Sequence, residues 1–339
     1  MKAYNLHGIG DFRYEDVDKP VADDDSVIVR VRAAGICGSD IPRVYTNGTY
    51  HFPTIPGHEF SGEIEDNGKR VGIFPLIPCQ SCPSCKKKQY EMCTNYNYLG
   101  SRTDGGFAEY VKVPKWNLIE LPDTVTFEQA AMLEPMAVAV HAIRQSKVKP
   151  GDSVAVCGLG TIGLLIVMFL RDMGIETVLG LGNKEFQKQS LLKMGVADEC
   201  YCDTKTAEPV GWILSKTDGQ GVDVFFECVG KNETVNTAIE SVCAAGSVQL
   251  VGNPASDMNL PKNVFWRILR KQLNVYGTWN SSYTHSESDD WHYVLDRLST
   301  QRVHPESLIT HRYDMASIGE GFSVMKDKSE DYIKIMMLN

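Results

Sequence analysis

The sequence predicts an α/β protein in which a doubly wound parallel sheet is inserted into a discontinuous, β-rich first domain. Three observations carry this. Val154-Ala155-Val156-Cys157 is a short apolar strand that meets a glycine turn and then an apolar helix over 164–170. Apolar runs at 177–181, 222–226 and 247–251 follow, alternating with helical stretches as βαβ units do. The first part of the chain has another texture: 26–32 alternates as a strand, and Gly, Pro, Asn and Asp punctuate 35–106. The texture changes near Lys149-Pro150-Gly151-Asp152, and after about Gly277 the chain is irregular and polar again. A length of 339 residues suits two domains. We therefore expect 1–145 and 281–339 to form one domain and 146–280 the inserted one.

Composition removes several function classes. With 43% hydrophobic and 23% charged residues, the chain is neither disordered nor fibrous. Its formal charge is −9 and its longest basic tract is Lys86-Lys87-Lys88, a poor match to nucleic-acid binding. The charge-free run over 154–170 reaches only the short limit of a membrane span. Its three glycines, with Asp152 before it and Arg171 after it, fit a strand, a turn and a helix instead. Met1-Lys2-Ala3-Tyr4 shows no signal-peptide pattern, so a cytoplasmic location is expected. Ten cysteines then point to metal binding or buried thiols rather than disulfides. Cys157, Cys200, Cys202, Cys228 and Cys243 read as small buried residues.

Two local motifs carry chemistry. Cys79, Cys82, Cys85 and Cys93 place four soft ligands in one short loop, the donor set of a closed, tetrahedral structural zinc. The nearby lysines offset part of the thiolate charge. Gly158-Leu159-Gly160-Thr161-Ile162-Gly163 follows a strand and opens a helix, the context in which such glycines bind a dinucleotide. The first permits the turn, the second admits the pyrophosphate, the third allows close helix–strand packing, and the helix N-terminus supplies donors. The acid expected at the end of the next strand is replaced by Gly182-Asn183-Lys184. An acid there would repel a 2′-phosphate, whereas glycine leaves room and Asn183 and Lys184 can donate to it, so NADP is favoured over NAD.

Cys37, His58, Glu59 and Glu134 form a dispersed third set. A Cys, a His and a carboxylate suit a catalytic zinc with one open position, although spacing alone does not assemble them.

The chain resembles the zinc-dependent medium-chain dehydrogenases over essentially its whole length. The matching pieces are Gly35-Ile36-Cys37-Gly38-Ser39-Asp40, Pro56-Gly57-His58-Glu59-Phe60-Ser61-Gly62, the four-cysteine loop, Asp104-Gly105-Gly106-Phe107-Ala108-Glu109-Tyr110, Leu133-Glu134-Pro135 and the glycine turn. Glutamate at 134, where many alcohol dehydrogenases carry a cysteine ligand, is similar to the polyol branch. The resemblance implies a GroES-like catalytic domain around a Rossmann domain. It implies two zinc ions, with Cys37, His58 and Glu134 as catalytic ligands and Glu59 beside the metal, directly or through water. Ser39 would relay the alcohol proton. A polyol or polyol-phosphate substrate is implied, with Arg43 and Arg102 as candidate phosphate partners and Trp279 and Asn280 lining the cleft. A homodimer or homotetramer is also implied, with pairing of sheet edges as its candidate route. Two other functions remain at this point: an NADP(H) enzyme for a free polyol or simple alcohol, and a zinc-stabilised nucleotide-binding protein without catalysis.

Overall fold

The computed structural model describes residues 1–254 and 256–339. The chain divides into two units, Met1–Ala137 with Ser281–Asn339, and Val138–Asn280. The division falls inside the helix Leu133–Ser146 rather than after residue 145.

The second unit is a six-stranded sheet in which every neighbouring pair is parallel. Its spatial order is Tyr201–Asp203, Val178–Gly182, Val154–Cys157, Val222–Glu227, Val242–Leu250 and Asn274–Gly277. Numbered within the unit this is 3-2-1-4-5-6, the doubly wound Rossmann order. Parallel strands are covered on both faces, and Val154, Ala155, Val156 and Cys157 are accordingly all buried. The helix Thr161–Asp172 is buried from Gly163 to Leu170. That helix accounts for the long apolar run, and no helix among the described residues is long and apolar enough to cross a membrane. Sequence reasoning missed two strands, Tyr201–Asp203 and Asn274–Gly277. The first is only three residues long, and the second carries three exposed residues, Asn274, Val275 and Gly277, at the sheet edge.

The first unit is built on a seven-stranded sheet. Its long strand Ser26–Ile36 pairs antiparallel with Glu59–Ile64, Tyr110–Pro114 and Lys334–Leu338. The C-terminal segment thus supplies strands to the sheet begun by the N-terminal one. Tyr283 and Trp291 tie this return down. Both are fully buried, with rings 5.0 and 5.3 Å from that of Phe74, and the Tyr283 hydroxyl donates to the Leu118 carbonyl at 2.6 Å. A second aromatic contact, Phe107 on Phe322 at 5.3 Å within the apolar core, does the same.

A Cβ on Gly163 would lie 2.0 Å from the Gly158 carbonyl oxygen, whereas a Cβ on Gly160 would meet nothing within 4 Å. Gly163→Ala should therefore cost about 2 kcal/mol or more in urea unfolding, because backbone must move. Gly160→Ala should stay within about 0.5 kcal/mol of the parent. Equal costs would show that the turn is not packed this way.

Candidate active site

Strand register assembles the first cluster. Gly35, near the end of Ser26–Ile36, lies opposite Glu59 at the start of Glu59–Ile64, so Cys37, His58 and Glu59 meet where the two strands leave the sheet. Their donor atoms all lie within 4.8 Å of one another. Asp40, fully buried, supports them. It accepts the Cys37 amide at 2.9 Å, pairs with Arg43 and stands 3.5 Å from His58 Nδ1. Burial pushes its carboxyl up, but His58, Arg43 and the Cys37 amide together hold it below the usual carboxylate range. At 3.5 Å, His58 Nδ1 makes no hydrogen bond and is a buried orphan. Burial lowers the proton affinity of His58, yet Asp40 and Cys37 outweigh it and raise the ring well above its ordinary value. The pocket calls for positive charge. A thiolate, an imidazole and a carboxylate at this separation fit a zinc ion with an open position.

Glu134 lies outside the converging group. The structure brings Glu59 together with Cys37 and His58, where the resemblance implied Glu134 as the third ligand. The reason is local. Glu59 is continuous with His58, while Glu134 sits on the first turn of another helix, with its carboxylate 3.4 Å from the Tyr98 hydroxyl. Burial raises Glu134 to about 7, and the negative charge of Glu59 adds to this against the opposing pull of His58 and Lys334. Burial and Glu134 likewise raise Tyr98 well above a free phenol.

Cys79, Cys82, Cys85 and Cys93 also converge within 4.8 Å, and two sulfur pairs stand 4.0 and 3.9 Å apart. A tetrahedron with zinc–sulfur bonds of roughly 2.3 Å has edges of roughly 3.8 Å, so this set fits zinc closely. The Cys85 and Thr94 amides pull Cys82 down to about 5, while burial, with the neighbouring thiols, pushes Cys85 up to about 12.

The glycine turn has the required form. Gly158 takes φ +93°, Gly160 caps the helix, and Thr161 and Ile162 are its first residues. The Gly182 region differs from expectation. A Cβ there would meet Gln187 Oε1 at 2.7 Å and Tyr201 at 3.2 Å, and the Asn183 amide donates to Gln187 at 3.1 Å. The room expected beside Gly182 is filled by Gln187. The Asn183 side chain is exposed, and Lys184 begins the helix Glu185–Lys193 with its ammonium 5.3 Å from the Phe186 ring.

Other predicted residues are placed as follows. Ser39 precedes a short helical turn, is half-buried and makes no capping bond. Arg43 is not a free cation, because Asp40 holds it. Arg102 is clamped between the rings of Tyr50 and Tyr96, at 4.2 and 4.4 Å, and its Nη1 donates to the Tyr96 carbonyl. Trp279 is 55% exposed, and Asn280 ends the second unit. Sequence reasoning missed Asp40 as a support, Tyr98, Gln187 and Lys334. Of these, only Lys334 left a signal, a charge inside the apolar run Ile333 to Leu338.

Residues 23–123 match the alcohol dehydrogenase GroES-like domain, and residues 161–300 match the zinc-binding dehydrogenase family. Galactitol 1-phosphate 5-dehydrogenase of Escherichia coli (strain K12) is 31% identical over 315 residues, covering 90% of each chain. The chain belongs to the zinc-dependent medium-chain dehydrogenases. A sorbitol dehydrogenase of Bacillus subtilis (strain 168) is 28% identical over 99% of this dehydrogenase and 97% of its own length. The crystal structure of galactitol-1-phosphate dehydrogenase from Escherichia coli covers the whole of both chains, at 29% identity and a TM-score of 0.92. A Sinorhizobium meliloti 1021 dehydrogenase solved with NADP bound is 28% identical, with a TM-score of 0.90, over 100% of this chain and 99% of its own. This dehydrogenase is an oxidoreductase whose relatives act on polyols and alcohols.

In the dehydrogenase stripped of metal, iodoacetamide at pH 7 should alkylate Cys82 first. Its thiolate dominates above pH 5 and is lost below it, whereas Cys85 stays protonated until far higher pH. Added zinc should protect all four cysteines. Equal labelling of Cys82 and Cys85, read by peptide mass spectrometry, would contradict this electrostatic ordering.

Proposed function

We propose that this chain interconverts a polyol phosphate and a ketose phosphate, with a substrate of the galactitol 1-phosphate kind and with NADP preferred over NAD. The observation that carries the reading is the convergence of Cys37, His58 and Glu59, with Glu134 nearby and the uncapped Ser39 hydroxyl two residues from Cys37. Two zinc ions per chain complete it, one in this cluster and one in the four-cysteine loop. Zinc in the first site lowers the pKa of a bound alcohol toward neutrality.

The chain's own groups do the rest. Asp40 fixes the Cys37 backbone and stands behind the His58 ring, so both donors keep their direction. Ser39 takes the alcohol proton toward solvent. The open face of Gly160 lets the pyrophosphate reach the N-terminus of Thr161–Asp172. With the space at Gly182 filled, a 2′-phosphate meets Asn183 and Lys184 instead. Arg102, with its guanidinium beside two tyrosine rings, offers its remaining donors to the substrate phosphate. Arg43 is withdrawn from that role, since its charge serves Asp40. This favours a second reading, a free polyol as substrate. A cytoplasmic location, where thiols stay reduced, goes with this reading.

Initial rates of nicotinamide reduction should be measured with galactitol 1-phosphate and galactitol, each with NAD and NADP. The phosphate ester should be favoured by about tenfold or more in kcat/KM. Arg102→Ala should lower kcat/KM for the ester about 10–100-fold and leave galactitol unchanged. Lys184→Glu should move preference toward NAD. Cys37→Ala should abolish turnover while dinucleotide binding persists. Equal rates for ester and free polyol would establish the second reading.

We infer further that the protein is a homodimer or a homotetramer formed by sheet-edge pairing. Asn274–Gly277 ends the parallel sheet with Val275 41% exposed, and Phe265, Trp266 and Leu269 of the preceding helix are exposed as well. An open edge beside apolar side chains invites a symmetric copy. Light scattering should give about 75 kDa or a multiple of it, twice the 37.7 kDa chain. Val275→Lys should yield monomer, and an unchanged mass would exclude this edge.

A further inference from the structure

Lys334 is 2% exposed, in the strand Lys334–Leu338, whose other residues are Ile, Met, Met and Leu. A buried lysine needs a partner. Its Nζ pairs with Glu59 Oε2 and donates to the Ile36 carbonyl at 3.0 Å. The sheet explains how they meet. Gly35 lies opposite Glu59 on one side and Met336 on the other. A Cβ on Gly35 would stand 2.5 Å from both Glu59 Oε2 and Lys334 Cε. Neighbouring strands are roughly 4.8 Å apart, so side chains from the two flanking strands can touch only by crossing the middle one. The bare backbone at Gly35 is where they cross.

Buried ion pairs add little net stability over apolar packing, so stability alone does not account for this one. Its position does. One oxygen of a carboxylate in the Cys37–His58–Glu59 cluster is already taken by a cation.

We propose that Lys334 is a positioning residue for the metal centre: by holding one oxygen of Glu59 it limits that carboxylate to single-oxygen contact with the metal and keeps a position open for substrate. The inference rests on the metal reading of Cys37, His58 and Glu59. The charges support it. The Cys37 thiolate and the Glu59 carboxylate balance a divalent ion, and of the other acids Asp40 has Arg43. Lys334 and Glu134 are then the remaining cation and anion among these residues. Without Lys334, Glu59 would be free to turn both oxygens to the metal and close the site.

The test uses the full chain, stripped of metal, given back one equivalent of zinc to fill the four-thiolate loop, and then titrated with Co(II). Lys334→Met should bind Co(II) about tenfold more tightly, because a cation beside the metal is gone. Its visible absorption should weaken as an oxygen donor is added. Lys334→Arg should restore the parent spectrum and affinity. Unchanged or weaker Co(II) binding by Lys334→Met, with the parent spectrum, overturns the proposal. If Lys334→Met does not fold, the comparison moves to Glu59→Gln, which leaves the lysine charge unpaired and should bind Co(II) weakly. The double variant, Glu59→Gln with Lys334→Met, should then recover about tenfold, and no recovery overturns the proposal. If the parent protein binds no Co(II) beyond the thiolate loop, the metal reading itself fails, and this inference with it.

Discussion

The register of the strand Ser26–Ile36 is the constraint on which the first unit depends. This strand pairs with three others, and its end delivers Cys37. Side chains alternate across a sheet, so a slip of one residue would turn Glu59 away from Cys37 and carry Lys334 off Gly35. The apolar residues Val29, Val31, Ala33 and Ala34 are fully buried along the same strand, and they resist such a slip. The core and the metal donors are thus set by one pairing. The register shifts between Val31 and Ala33, and the pairing that resumes from Ala33 opposite Ser61 to Gly35 opposite Glu59 is the one that sets the site.

Charge is the second constraint. Asp40, Glu59 and Glu134 are all buried near one imidazole and one thiol. Uncompensated, three such carboxylates would be prohibitive. Asp40 is given Arg43, Glu59 is given Lys334, and Glu134 has a long contact from the Tyr98 hydroxyl and the pull of His58 and Lys334. Arg43 and Lys334 therefore act in support of buried anions. That is why Arg43 is a poor candidate for a substrate phosphate, whatever its position along the chain.

Local signals in the sequence survived folding well, and relational ones did not. The strand Val154–Cys157, the turn at Gly158 and the buried helix are written in consecutive residues, so pattern alone located them. The four cysteines are likewise close along the chain, and their convergence follows from spacing. Glu59 and Glu134 could not be ranked this way, since each can reach a metal only through the path its own strand or helix takes. Gly182 shows the same limit. A missing side chain was legible, but Gln187, five residues later in the first turn of the next helix, takes the space, and only the folded backbone reveals that. Lys334 lies 275 residues from Glu59 in sequence, so no window could have joined them.

The contrast between Glu59 and Glu134 has chemical content. Both are buried and both lie near His58, yet one has a lysine and the other has a phenol. Where two carboxylates share a site, their environments divide the roles between them. Glu134, pushed to about 7, can exchange a proton near neutral pH, and Tyr98 stands beside it with a hydroxyl that stays protonated. Glu59, held by Lys334, keeps a fixed direction suited to a ligand. A metal in the cluster would pull Glu134 back toward its ionised form, because an added positive charge favours the carboxylate. Loading the site and charging Glu134 are therefore coupled, and metal binding should release a proton from this residue.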